Sequence, residues 1–383
     1  MFNCRKAWLF LAAMFVGWPL PAVAFPLELA NCHVEFVRDV CLGYDAQFAQ
    51  DRAALLQAVD YSLEYLATDA AVAAYETYPL AWVTRERVQR SLVRFRQLVT
   101  VSHSAQQLQE SVSHEFDFYR SVGNDGAGNI DFTGYFEPTY SASATPTAEY
   151  RYPLYSRPVN LDDWPLPHPT RLELEGIDGL QGVQGPLVDL ELVWLRDRLE
   201  AFLVQVQGSA RLQLTDGSVM SVGYAGRTEY PYVSIGRALI ENGIVAEEEL
   251  SLPVLIDYFD QYPEALDRYL PLNKRFVFFK ATGGAPPIGN LNVPVTAGRS
   301  IATDKTLMPP GALALISLEL PMPTTRDEWQ SMAVNRFVLD QDTGGAIRGP
   351  GRVDIFVGTG DMAGQQAGLI NTSGQLYYLL LRQ

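Results

Sequence analysis

Apolar residues recur at helical spacing in two stretches near the N-terminus: Leu55, Leu56, Val59, Leu63 and Leu66, then Val88, Leu92, Phe95 and Leu98 behind Thr84, a residue suited to cap a helix. The spacing predicts a helical part over about residues 51–120, its stripes buried as core. Past Gly123-Asn124-Asp125-Gly126 the period shortens to two, as in residues 205–214 ahead of an Asp216-Gly217 hairpin turn, and strands are expected. A helix over residues 234–242, stopped by Gly243, and a helical region over residues 247–269 interrupt them. From Phe276 onward short apolar runs return between Gly-Gly, Pro-Pro-Gly and Gly-Thr-Gly turns. The expected class is α+β: N-terminal helices, then a chain that is mostly β.

The first 24 residues interrupt this pattern. Arg5 and Lys6 precede an apolar run too short to span a bilayer, and Ala22-Val23-Ala24 resembles a cleavage site, so residues 1–24 read as an export signal peptide. Leu29-Ala30-Asn31-Cys32 is only a loose lipoprotein box, because Asn31 and Glu28 fit it poorly. With Cys4 lost in the leader, Cys32 and Cys41 are an even pair in an exported chain, and a disulfide between them is expected. The expected mature length, 383 − 24 = 359 residues, exceeds what one core usually holds, which suggests two domains. The 44 acidic and 29 basic residues leave a net charge of −15, which repels nucleic-acid phosphates and excludes nucleic acid as a partner.

Candidate chemistry concentrates in the last quarter. Asp304, Asp342 and Asp354 each border an apolar, strand-like run beside a turn, with no histidine or cysteine near them in sequence. Strand alternation places Val353, Ile355 and Val357 on one face and Asp354 with Phe356 on the other, an acid beside an aromatic ring. Asp304 and Asp342, taken singly, read as turn residues. Asp342-Thr343-Gly344 resembles an aspartic protease signature, but that chemistry needs two such motifs and the chain has one. Gly358-Thr359-Gly360 lacks the βαβ unit of a dinucleotide site, the histidines show no metal spacing and no nucleophile elbow occurs. Aromatic residues crowd the β-rich middle. Tyr135 and Tyr224 stand next to glycine, where a ring can project to stack on a sugar.

Taken in order from about residue 130 to the C-terminus, Gly134-Tyr135-Phe136-Glu137-Pro138, Val206-Gln207-Gly208-Ser209, Tyr224-Ala225-Gly226, Ala302-Thr303-Asp304, Asp342-Thr343-Gly344-Gly345 and Val353-Asp354-Ile355-Phe356 resemble the lytic murein transglycosylase A family. The resemblance implies a double-psi β-barrel, formed with the helical part from residues 25–135 and 282–383, carrying an inserted β-rich substrate domain over 136–281, with a groove between them. It implies an exolytic-type enzyme that cleaves the β-1,4 bond between N-acetylmuramic acid and N-acetylglucosamine and leaves 1,6-anhydro ends. Its catalytic acid falls on Asp354, with Asp342 and Asp304 as acidic neighbours, and Gln207, Gly208, Ser209 and Tyr224 lie beside the groove. No cofactor or metal is expected. The partners implied are peptidoglycan glycan strands and periplasmic cell-wall synthesis or division proteins, for a monomer in the periplasm associated with the outer membrane.

One carboxyl serving as acid and then base departs from the two-carboxyl arrangement of ordinary glycosidases. At its ordinary pKa an aspartate holds its proton about once in a thousand at pH 7, a cost of about 4 kcal/mol. Asp354 must therefore be raised, by burial against Phe356 or by the charge of Asp304 or Asp342. Two alternatives stay open: a water-using hydrolase pairing Asp354 with Asp342, and a non-catalytic wall-binding protein.

Overall fold

Four helices form the N-terminal part, as the apolar stripes require: α1 (Phe48–Leu66), α2 (Asp69–Glu76), α3 (Arg85–Val101) and α4 (Ala105–Glu115). The Thr84 side chain accepts from the Arg87 amide and caps α3, whose Val88, Leu92, Phe95 and Leu98 are buried. The computed structural model describes residues 25–30, 36–37, 40–247, 249–324 and 328–383. The leader and Cys32 lie outside these residues, and so does the expected Cys32–Cys41 pair. Three short strands precede the helices: β1 (Leu27–Leu29), β2 (Phe36–Val37) and β3 (Val40–Cys41). The helical part ends earlier than its pattern predicts, because Phe116–Ser121 forms strand β4. There Phe116 and Phe118 alternate into the core, so period two overrides the preceding helix.

The strands β5 (Ile130–Glu137), β12 (Ser300–Ala302), β13 (Leu313–Pro323), β14 (Trp329–Asp342), β15 (Arg352–Thr359) and β16 (Asn371–Leu381) pair in the order β16-β13-β14-β12-β15-β5, and β5 returns to β16. Closure of this six-stranded ring leaves no open edge. Two of its pairings are parallel, β12 with β14 and β15 with β5, and the fold is the double-psi β-barrel with an inserted second sheet that the resemblance implies. Barrel and helices share one core; Phe95 of α3 meets Phe337 of β14 with ring centroids 5.0 Å apart. Buried Arg299 joins them a second time, donating to Asp45 and to Asp51 at the start of α1.

Between β5 and β12 the chain builds a second sheet of six strands: β6 (Thr139–Ser143), β7 (Tyr152–Tyr155), β8 (Glu191–Leu195), β9 (Ser209–Leu214), β10 (Val219–Arg227) and β11 (Val277–Ala281), in the order β11-β10-β9-β6-β8-β7. Five helices accompany it: α5 (Arg171–Glu175), α6 (Arg198–Gln207), α7 (Ile235–Glu241), α8 (Leu252–Gln261) and α9 (Leu266–Tyr269). Ser234 caps α7, as its pattern predicts, and the Asp216-Gly217 turn joins β9 to β10. Residues 205–207 are not strand but the last turn of α6, where Gln205 lies against Arg171 in a helical rather than an alternating frame. A tenth helix, α10 (Asp361–Leu369), begins where only a tight turn was expected and packs on β5 and β15.

Candidate functional site

Register brings two of the three aspartates together. Ala302 on β12 faces Asp342 across its parallel neighbour β14 and Asp354 across its antiparallel neighbour β15. The two carboxylates thus flank one short strand and line the same cavity, of about 570 Å³, between barrel and inserted sheet. Tyr135, Gln207, Gly208, Ser209 and Tyr224 line it as well.

Asp354 sits opposite Thr133 in the β15–β5 register. The Thr133 hydroxyl donates to Asp354 Oδ1 and in turn accepts from Arg352 Nη2 at 2.8 Å. Arg352 Nη2 also lies 3.6 Å from Asp354 Oδ1. Asp354 lines the cavity, and its Oδ2 has no hydrogen-bond partner among the described residues. Burial pushes the Asp354 carboxyl up to about 6; the Arg352 charge opposes this and the Asp342 charge adds to it. About 2 units at 1.36 kcal/mol each lower the cost of holding a proton at pH 7 by about 3 kcal/mol.

Asp342 is held differently. Its Oδ2 accepts from the Tyr135 hydroxyl at 2.7 Å, while Oδ1 accepts from the Asn290 amide at 2.7 Å and from the Thr343 amide at 2.8 Å. Burial raises its carboxyl, against the pull of these three donors. Both its oxygens are thus occupied, and its charge adds to the rise of the Asp354 carboxyl.

Asp304 does not join them. Its Oδ1 accepts from the Thr306 amide and hydroxyl and its Oδ2 from the Gly349 amide at 2.9 Å, so it closes a turn and ties down the loop between β14 and β15. Burial raises the Asp304 carboxyl, but these donors and the Arg348 charge outweigh it and hold it below the usual range. Of the two acids whose charge could raise Asp354, Asp342 is the one that contributes.

Tyr135 also differs from its expected part. It lies on β5 and not on a loop, with its ring 5.3 Å from that of Phe356 and its hydroxyl committed to Asp342. Tyr224 does project: it sits at a β-bulge of β10 and is 46% exposed. Gln207 ends α6 and accepts from the Phe136 amide at 3.1 Å through Oε1, and Gly208 caps that helix with φ 83°, a left-handed conformation that leads directly into Ser209 of β9. Of the other tyrosines in the middle region, Tyr150 and Tyr155 are core, whereas Tyr232 lines the cavity.

Sequence reasoning passed over Thr133, Arg352, Asn290 and Arg275. Thr133 precedes the Gly134-Tyr135 motif by one residue and Arg352 precedes Asp354 by two, but only strand pairing makes them partners. Arg275 has one visible trace, Gly345: a Cβ there would stand 1.9 Å from Arg275 Nη1 and would displace the end of that side chain. Among the described residues no group of three or more His, Cys, Asp or Glu could hold a metal, and no helix is long and apolar enough to cross a membrane.

Residues 131–280 match the family model of the MltA specific insert domain and residues 299–380 that of the 3D domain. The membrane-bound lytic murein transglycosylase A of Escherichia coli is 33% identical over 266 residues, 69% of each chain. Its Vibrio cholerae counterpart is 33% identical over 259 residues, 67% of each. Among solved structures, a membrane-bound lytic murein transglycosylase from Agrobacterium tumefaciens superposes with a TM-score of 0.71 at 28% identity, covering 88% of this chain and 95% of that one. The Escherichia coli enzyme with bound chitohexaose gives 0.69 at 25% identity, covering 94% and 95%.

Proposed function

The chain belongs to the lytic murein transglycosylase A family and so is a peptidoglycan lytic transglycosylase, and from that premise we propose that Asp354 alone carries the acid and base steps of its reaction. The single observation behind this is a half-buried carboxyl in the cavity wall, pushed up to about 6, whose Oδ1 is held by Thr133 while its Oδ2 has no partner among the described residues. Protonated Asp354 gives its proton to the glycosidic oxygen as the bond from the muramoyl C1 breaks. The carboxylate so formed takes the proton of the muramoyl C6 hydroxyl as that oxygen bonds to C1 and closes the 1,6-anhydro ring. Proton and leaving group balance without water, and Asp354 returns to its starting form.

The charge of Asp342 favours the protonated form of Asp354, and Arg352 supports the carboxylate that follows. A hydrolase pairing Asp354 with Asp342 is disfavoured because three donors already fill the Asp342 oxygens. Gln207, Gly208, Ser209 and Tyr224 line the groove for the glycan, Asp304 holds the loop after Asp342, and residues 136–281 form the substrate domain. The leader pattern supports export of the mature chain to the periplasm with a Cys32–Cys41 disulfide, and the family resemblance supports a monomer associated with the outer membrane that works beside cell-wall synthesis or division proteins.

Digestion of purified sacculi followed by mass analysis tests the reaction, because an anhydro end is lighter by one water than a hydrolysed end. Anhydro muramoyl ends from the wild type and none from Asp354→Asn are expected. Reducing ends would establish hydrolysis instead, and binding without soluble release would establish a wall-binding protein.

A further inference from the structure

The chain has a net charge of −15, yet the cavity beside Asp354 is lined by Arg227, Arg275, Lys280 and Arg348, none of which forms an ion pair with a described residue. Arg171 also reaches the cavity but is neutralised by Glu175 at 3.2 Å. Arg275 is the centre of the cluster. It is only 7% exposed, and its Nε donates to the Tyr230 carbonyl at 2.7 Å. Its two terminal nitrogens have no hydrogen-bond partner among the described residues. Nη1 rests over Gly345, in the loop that follows Asp342, so the guanidinium of the inserted domain reaches the barrel wall.

Burial, and after it the like charges of Arg227 and Arg348, push Arg275 down to about 10. Gathering cations in a half-enclosed cleft without a counterion costs free energy, and an arginine fork there is shaped to take a carboxylate on two parallel N–H groups. The position is informative as well. Arg227, Arg275 and Arg348 line the same cavity as Asp354, and a Cβ on Gly345 would meet both Arg275 and Tyr232, which also lines it.

We infer that Arg275, flanked by Arg227 and Arg348, binds a carboxylate on the C3 substituent of the muramoyl residue being cleaved. This rests on the transglycosylase reading above. In the glycan, N-acetylglucosamine carries no charge, whereas the muramoyl lactyl group, or the peptide attached to it, supplies carboxylates. The cluster would therefore set the register of the strand, placing a muramoyl and not a glucosaminyl C1 over Asp354.

The test measures binding in an Asp354→Asn background, which leaves strands uncut. Three hexasaccharides are compared: chitohexaose, which has no carboxylate, a peptide-stripped glycan with free lactyl groups, and a peptide-bearing glycan. Arg227→Gln/Arg348→Gln removes two charges at half-buried and exposed positions, so folding is retained. Affinity for a muramoyl ligand should fall about tenfold relative to chitohexaose. A fall with the stripped glycan identifies the lactyl carboxylate, and a fall confined to the peptide-bearing glycan identifies the peptide. Arg275→Lys, which keeps the charge without the fork, should give an intermediate loss. An equal effect on all three ligands, or none on any, overturns the inference. Failure of the underlying reading is separate: wild-type protein would then release no anhydro ends from sacculi, whatever the binding ratios.

Discussion

Arg352→Met removes the cation beside the proposed acid, and with it the hydrogen bond that Nη2 donates to the Thr133 hydroxyl. Arg352 Nη2 stands 3.6 Å from Asp354 Oδ1 and opposes the rise of its carboxyl. At that separation two unit charges attract by roughly 1 kcal/mol in water and roughly 4 to 5 kcal/mol at an effective dielectric of 20. Both side chains keep contact with solvent, at 33% and 21% exposure, which favours the lower end of this range. Loss of the charge should then raise Asp354 by about one unit, from about 6 to about 7. Methionine keeps the length of the stem, and Arg352 Nε has no partner to lose.

The sign follows from the role. An acid works while protonated, so activity is held below the pKa of Asp354 and falls as pH rises through it. In the variant, the alkaline limb of kcat/KM should move up by about one unit, and the protonated fraction at pH 7 should grow from about a tenth to about a half. Release of anhydro ends from sacculi across the neutral range gives the profile. An unmoved limb, or one displaced to lower pH with unfolding temperature unchanged, would refute the electrostatic account of Asp354.

Asp354→Asn should abolish activity, and a tenth of the wild-type rate would remove Asp354 from the acid role. The same variant tests linkage: because burial raises Asp354, the native state keeps a proton that the unfolded chain has lost, and stability falls as pH climbs from about 4 to about 6. Asparagine lifts that penalty, so the unfolding free energy at pH 7 should rise by up to about 3 kcal/mol, with the gain gone near pH 4. Tyr135→Phe removes the hydroxyl from Asp342 and should lower kcat about tenfold, through a lost charge-assisted bond. A change in KM alone would return Tyr135 to sugar binding. Gly134→Ala places a Cβ 2.8 Å from the Ala367 Cα of α10, a backbone contact that cannot yield cheaply, and the denaturation midpoint should report a loss of about 1 to 3 kcal/mol.

Periodic apolar residues determined the helices α1, α3, α7 and α8 without help, because each must bury one face whatever it packs against. Turn residues such as Asp216-Gly217 marked the hairpin for an equally local reason. The motif order was sufficient for the family and, through it, the barrel with its insert, which no local periodicity could have announced, since closing β16 on β5 pairs residues far apart in sequence.

What the tertiary structure decided was the surroundings of each acid. Three aspartates beside turns look alike along the chain, but a carboxyl's proton affinity depends on burial, donors and charges brought by distant segments. Ala302 placed between β14 and β15 sets Asp342 against Asp354, while Gly349 and Thr306 engage Asp304 elsewhere. The cation cluster was illegible for the same reason: Arg227, Arg275 and Arg348 lie scattered in an acidic sequence, and only the meeting of two domains makes them one positive wall.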